Sequence, residues 1–124
     1  MIESYFLEQL EIIGDFNIVV RSEIQKRKIN ETIGIFNGKL YFNVGILEFS
    51  EVIRITDKEQ IDKKKYKYHF RYKNNRMIFR YDNVPHHKEI KTFPHHKHLQ
   101  DKVVESQEIN LYDILLEIRE IIQK

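Results

Sequence analysis

The feature that most constrains the fold is an alternating segment from Lys65 to Lys73. Its even positions are aromatic and its odd positions basic: Tyr66, Tyr68, Phe70 and Tyr72 against Lys65, Lys67, His69, Arg71 and Lys73. Successive side chains of a strand point to opposite faces, so this period of two predicts a β-strand with one aromatic and one basic face. We expect the aromatic face to be buried and the basic face to be exposed. An exposed aromatic platform for stacking nucleic-acid bases is the alternative.

A second strand is predicted after Asn74-Asn75, which are typical of a two-residue turn. The register places the aromatic residues of both strands on one side, which supports it. The predicted pairs are Tyr72 with Met77, Phe70 with Phe79, Tyr68 with Tyr81, Arg71 with Ile78, His69 with Arg80 and Lys67 with Asp82.

Helices are predicted at both ends of the chain. The first carries an apolar stripe of Ile2, Phe6, Leu10 and Ile13 and ends at Gly14, and the last begins at the N-cap Asn110, with a stripe of Leu111, Ile114, Leu115, Ile118 and Ile121. Between them we predict a strand within residues 17–28, a hairpin turn at Asn37-Gly38 and a competing turn at residues 43–45 that leads into a strand over residues 46–55. The fold class is α+β: one domain over residues 1–124, with an antiparallel sheet of about five strands and both helices packed on one face.

Composition excludes several classes of function. The chain has no cysteine, which removes disulfides, thiolate zinc sites and cysteine nucleophiles. Its formal net charge of +2 is too small for a polycation that coats nucleic acid. The N-terminal segment mixes acidic with apolar residues and no long apolar run follows, so we expect a cytoplasmic protein with no membrane partner.

Five of the six histidines lie between residues 86 and 98. They occur in two similar segments, Pro85-His86-His87-Lys88 and Pro94-His95-His96-Lys97-His98. Proline disfavours a central strand, so this segment is predicted to be a loop or a set of short, broken elements. Loops that a scaffold holds in place are common positions for functional sites. A solvated polar loop without a function is the alternative.

Metal-free cleavage of RNA is one chemistry that suits these residues. It needs a base, an acid and cations for the charge that develops on the phosphate, and histidine titrates near neutral pH. The candidate catalytic residues are His69, Arg80, Asp82, His86, His87, His95, His96 and His98, and the candidate substrate-binding residues are Lys67, Arg71, Tyr81 and Lys97. Asp82 would orient a partner side chain within the site, and this chemistry requires no cofactor.

A metal site is the second chemistry. His96 and His98 would point the same way on an extended segment, and His86 or His87 would complete a ligand set with Asp82 or Glu89. The favoured set for a divalent metal is His86, His96 and His98. Several cations lie close in sequence and oppose such a site: Arg80, Lys88, Lys91 and Lys97.

Three segments together resemble the TumE family. They are YKYHF at residues 66–70, IFRYDNVPHH at residues 78–87 and TFPHHKH at residues 92–98. Lys67 and Phe70 depart from the arginine and tyrosine expected there. The resemblance implies a prokaryotic toxin of a type II toxin–antitoxin module, with an antitoxin partner of the helix-turn-helix class. RNA as a target and assembly into homo-oligomers are both compatible with it, as is a non-enzymatic module that binds protein or nucleic acid through the histidine segment.

Overall fold

The computed structural model describes residues 1–124 as two helices and one sheet of seven antiparallel strands. The helices are α1 (Ile2–Gly14) and α2 (Leu111–Gln123), and the strands are β1 (Arg21–Lys28), β2 (Ile33–Tyr41), β3 (Gly45–Ile55), β4 (Ile61–Tyr72), β5 (Met77–Asp82), β6 (His96–His98) and β7 (Val103–Glu105). Each strand pairs with the next one along the chain. The α+β class is confirmed, whereas the expected number of about five strands is too small.

The two additional strands are β6 and β7, each of three residues. β6 begins only two residues after Pro94, in the segment predicted to be a loop or short, broken elements, and its length fits the second alternative. It pairs with β5, which sets Asp82 opposite His96 and Arg80 opposite His98. Two of the five histidines of this segment, His96 and His98, are therefore held in the sheet by strand pairing.

The aromatic face of the sheet is buried. Tyr66, Tyr68 and Phe70 are all fully buried, which confirms that these three residues of the stripe belong to the core, whereas Tyr72 at the end of β4 is 39% exposed. Phe6 of α1 stacks on Phe36 of β2 with ring centroids 5.8 Å apart. On α2, Glu117 accepts a hydrogen bond from the Tyr81 hydroxyl of β5 at 2.5 Å. Both helices thus contact this face, which we call the inner face. Neither helix is both long enough and apolar enough to cross a membrane.

The hairpin of β4 and β5 has most of the predicted register. His69 opposes Arg80, and the predicted partners of Lys67, Tyr68 and Phe70 are also confirmed. The pairs nearest the turn are wrong, because a bulge sets Arg71 opposite Met77. Four residues lie in the connection, where the Tyr72 N–H donates to the Arg76 carbonyl and Asn75 has a φ of 71°. A tight two-residue turn is therefore replaced by a wider one.

The predicted turn at Asn37-Gly38 is wrong, because both residues lie in the middle of β2. The chain reverses instead at the competing turn, where the Phe42 N–H donates to the Gly45 carbonyl at 2.8 Å. At Gly38 a Cβ atom would lie 2.3 Å from the Glu23 carbonyl oxygen of β1. The glycine permits this close approach of two strands, which is another common role of glycine in a sheet.

Candidate active site on the outer face

The face of the sheet opposite the helices carries two rows of polar side chains. Directly paired residues of an antiparallel sheet share a face, so the register alone defines both rows. One row runs through Glu48, His69, Arg80 and His98, and the next runs through Ser50, Lys67, Asp82 and His96. The candidate residues of three strands thus meet on what we call the outer face.

Asp82 lies at the centre of this arrangement, and its side chain is only 3% exposed. His96 Nε2 lies 2.8 Å from Asp82 Oδ1, and Arg80 Nε donates to Asp82 Oδ2 at 3.2 Å. The backbone N–H of Val84 donates to Oδ1 at 3.0 Å. Three donors therefore satisfy this buried carboxylate, as a buried charge requires.

His96 is buried between two acceptors. Its Nδ1 lies 2.8 Å from the Pro94 carbonyl oxygen, while its Nε2 faces Asp82. Both ring nitrogens therefore have a hydrogen-bonding partner inside the protein, and these two contacts fix the orientation of the ring. The ring is only 2% exposed, which leaves almost no surface for direct contact with a ligand.

His98 contacts the guanidinium of Arg80. Arg80 Nη2 lies 3.0 Å from His98 Nε2, and arginine only donates, so this nitrogen is the acceptor of a neutral ring. Burial and the positive charge of Arg80 lower the pKa of His98 to about 4. Arg80 is thereby held at two points, by His98 and by Asp82, while its side chain remains 37% exposed.

His69 lies on the other side of Arg80, directly opposite it across β4 and β5. Burial, followed by the charges of Arg71 and Arg80, lowers the pKa of this histidine. Its ring makes no hydrogen bond within the chain. His69 is therefore a neutral imidazole whose nitrogens are free.

His87 completes the cluster from the turn region after β5. Its ring centroid lies 5.0 Å from that of His96 and 5.5 Å from that of His98, and the latter two are 4.7 Å apart. Its Nδ1 lies 3.2 Å from a carboxylate oxygen of Glu89, and its side chain is 31% exposed. Among the histidines of this cluster, His87 combines a contact with a carboxylate that the other rings do not share, that of Glu89, with a partly exposed side chain.

The same three histidines offer ligand atoms within 4.8 Å of one another, which is close enough for a metal ion. The set contains His87 where the sequence favoured His86. The surrounding partners oppose a metal, because Arg80 already contacts His98 Nε2 and both nitrogens of His96 face acceptors. A divalent cation would have to displace the guanidinium from His98 and break one of the two contacts that hold His96. Acid–base chemistry fits these contacts better.

Comparison with known families decides the identity at the family level. The family model described as toxin TumE matches residues 9–123, which is nearly the whole chain. The chain belongs to the TumE toxin family. The resemblance seen in the sequence is thereby confirmed, and a TumE toxin belongs to a toxin–antitoxin system with a cognate antitoxin as its partner. No curated protein and no solved structure matches the chain.

Several predicted site residues of this TumE protein lie away from the cluster. His95 stacks on Tyr66 of the inner face, and its Nδ1 lies 2.8 Å from the Tyr66 hydroxyl. Lys97 donates to Glu117 of α2 at 2.9 Å, next to the buried Tyr81. The cause is the period of two in β6, which sends residues 95 and 97 to the opposite side from residues 96 and 98.

Two further candidates also fall outside the cluster. His86 is exposed and makes no side-chain contact with the other rings of this TumE protein. Arg71, two residues after His69 on β4, forms an ion pair with Glu48 at 3.0 Å. Lys67, by contrast, stays exposed beside Asp82 as expected.

An open groove on the outer face leads to the cluster, and the sequence analysis missed it. Its volume is about 570 Å³ and it crosses strands β1 to β4. Its polar lining consists of Glu23, Gln25, Asn37, Lys39, Glu48, Ser50 and Lys67. Glu48 and Lys67 belong to the two polar rows described above, so the groove of this TumE toxin opens beside His69 and Asp82.

Proposed function

We propose that this TumE-family toxin cleaves RNA by metal-independent acid–base catalysis on its outer face. The observation that carries the proposal is the row His69, Arg80, His98, in which a fixed but accessible guanidinium lies between two neutral histidines. In the proposed reaction the 2′-hydroxyl oxygen attacks the adjacent phosphorus, and the bond from phosphorus to the 5′-oxygen breaks. The products are a 2′,3′-cyclic phosphate and a free 5′-hydroxyl.

Arg80 would bind the phosphate that reacts. Asp82 and His98 restrict the guanidinium, so little side-chain entropy is lost when it binds a phosphate oxygen. Neighbouring strands are about 4.8 Å apart, which places His69 and His98 on either side of a phosphate held by Arg80. The same guanidinium would stabilise the charge that develops in the transition state.

His69 would act as the general base. A base must be neutral before it accepts the 2′-hydroxyl proton, and burial together with nearby cations lowers the pKa of His69. No group of the chain occupies its nitrogens. His98 is also neutral, but its Nε2 already accepts from Arg80, so we assign it a positioning role.

His87 would act as the general acid that protonates the leaving 5′-oxygen. With Nδ1 directed to Glu89, its Nε2 remains available to the substrate. The proton taken by His69 and the proton lost by His87 balance, and exchange with water restores both rings.

The groove would hold the RNA strand next to the scissile phosphate. Lys67 lies between the groove and Asp82, and a second depression of about 410 Å³ contains Lys64 and Lys65 beside Pro85. These lysines would contact phosphates on either side of the cleaved bond. Glu23 and Glu48 also line the groove, and their carboxylates would repel the phosphates of the RNA. The RNA would therefore lie closer to Lys67 than to these two residues.

The test uses a fluorescent RNA and the same oligonucleotide with one 2′-deoxy residue at the cleaved position. We expect His69→Ala, His87→Ala and Arg80→Ala each to lower cleavage at least about a hundredfold, the usual size of acid–base and charge-stabilising contributions. His86→Ala is the matched control, since that exposed histidine lies outside the cluster.

The outcomes separate three possibilities. The proposal is supported if EDTA does not affect cleavage and if the 2′-deoxy substitution prevents it. Cleavage that EDTA abolishes moves the function to a metal held by His87, His96 and His98. RNA binding without any cleavage by the wild-type protein would instead indicate a binding module that uses the same surface.

A further inference from the structure

A third cavity, on the inner side of the sheet, has features of a binding site. It measures about 400 Å³, within the range of small-ligand pockets, and lies between α1, the start of β4 and the segment that leads into α2. The lining residues that matter for its chemistry are Tyr5, Glu8, Gln9, Lys63, Glu108 and Tyr112. None of them belongs to the histidine cluster.

The side-chain amide of Gln9 lacks a hydrogen-bonding partner within the protein. The residue is 7% exposed, yet its amide makes no hydrogen bond within the chain. No polar side-chain atom of the protein is fully buried without a partner, so the amide must retain a small accessible surface. Because Gln9 lines the cavity, that surface faces it. A buried amide of this kind is normally paired, and here a ligand would supply the pairing.

The charge of the cavity favours a cation. Glu8 and Glu108 are exposed at its rim, and neither forms an ion pair within the chain. Two unpaired carboxylates at the mouth would repel a phosphate or another anion. They would attract a cationic group.

The buried Lys63 does not cancel this negative charge. Its ammonium donates to the Tyr68 hydroxyl at 2.8 Å and to the Ile109 carbonyl. The fully buried Glu51 accepts hydrogen bonds from Tyr5 and from the same Tyr68 hydroxyl, which links the two charges through one tyrosine. Lys63 and Glu51 thus compensate each other; burial lowers the pKa of Lys63, and the charge of Glu51 opposes that shift.

We propose that this cavity binds the guanidinium group of an arginine side chain of the antitoxin. Glu8 and Glu108 would accept its N–H groups, and the Gln9 carbonyl would accept another. Tyr5 and Tyr112 also line the cavity, and a planar guanidinium would stack on an aromatic ring there. The family establishes that an antitoxin partner exists, and the inference does not depend on how the toxin acts on its target.

The first experiment titrates agmatine, a small guanidinium compound, into the isotope-labelled protein and follows the side-chain amide of Gln9 by NMR. We expect saturable shifts at Gln9, and about tenfold weaker binding in the Glu8→Gln/Glu108→Gln double variant, a change of about 1.4 kcal/mol. Glu120→Gln, an exposed change elsewhere on α2, should leave the affinity unchanged. Equal shifts with glutarate, an anion, or no shift at Gln9 would overturn the site.

The second experiment distinguishes a protein side chain from a free metabolite. Binding of the antitoxin should displace agmatine, and the double variant should weaken the toxin–antitoxin complex about tenfold. Agmatine that stays bound in the complex would overturn the assignment to the antitoxin. Cleavage of RNA by the free double variant should match the wild type, so the two proposals fail or succeed separately.

Discussion

Replacing Asp82 with asparagine should destabilise the protein strongly, because it removes one charge from the centre of the cluster. In the wild type the carboxylate is 3% exposed and accepts from His96, Arg80 and the Val84 N–H. Asparagine keeps the shape and one carbonyl acceptor but leaves Arg80 without its counter-charge and His96 without a carboxylate partner. Removing one partner of a buried ion pair costs about 3–5 kcal/mol, and the retained acceptor places this variant near 3 kcal/mol.

Urea denaturation followed by circular dichroism measures this effect as the change in the free energy of unfolding. Asp62→Asn is the matched control, because Asp62 forms an ion pair with Arg54 at 3.0 Å and both side chains are more than 40% exposed. A surface pair of this kind contributes up to about 1 kcal/mol. If the two variants lost the same stability, the cluster would not be the buried charge network described above.

Three further predictions concern stability. Because His98 has a folded-state pKa of about 4 against 6.5 for the free side chain, only the unfolded chain takes up its proton between these values. Stability should therefore fall as the pH drops from 6.5 towards 4, and His98→Gln should flatten that part of a pH series of urea titrations. Gly38→Val should lower the melting temperature by the equivalent of about 1–3 kcal/mol, since its Cβ would meet the Glu23 carbonyl at 2.3 Å, whereas Gly14→Ala, with open space around it, should have little effect. Asn110→Ala should cost about 1 kcal/mol in the same melts, because the Asn110 side chain caps α2, and a loss below the error of the measurement would contradict this role.

The central hairpin was predictable from the sequence for a physical reason. From Lys65 to Tyr72 the two faces of β4 alternate between basic and aromatic residues, so a slip of one position there would bury lysine and expose tyrosine. The pairing of His69 with Arg80 followed from this alone. The predicted pairs next to Asn75 were wrong because the turn is longer than two residues. The length of a turn depends on local backbone geometry, which the alternation of side chains does not specify.

The composition of the histidine cluster was only partly predictable. Asp82, His96 and His98 join it because β6 pairs with β5, and a strand of three residues has too little periodicity to be recognised. That His87 and not His86 joins the cluster depends on the turns between Asp82 and His96. These turns have no regular side-chain periodicity from which the positions could be predicted. Neither the groove nor the Gln9 cavity has a motif, because both arise from elements that are distant in the sequence.

The sequential order of the strands affects how the cluster forms during folding. Since each strand pairs with its successor, His69, Arg80, Asp82, His87, His96 and His98 all come from one stretch of thirty residues, 69–98. Short chain closures bring these groups together, and contacts between near neighbours form faster than those between distant segments. The chemical machinery is thus encoded in a compact part of the chain, while the helices and first three strands supply its support.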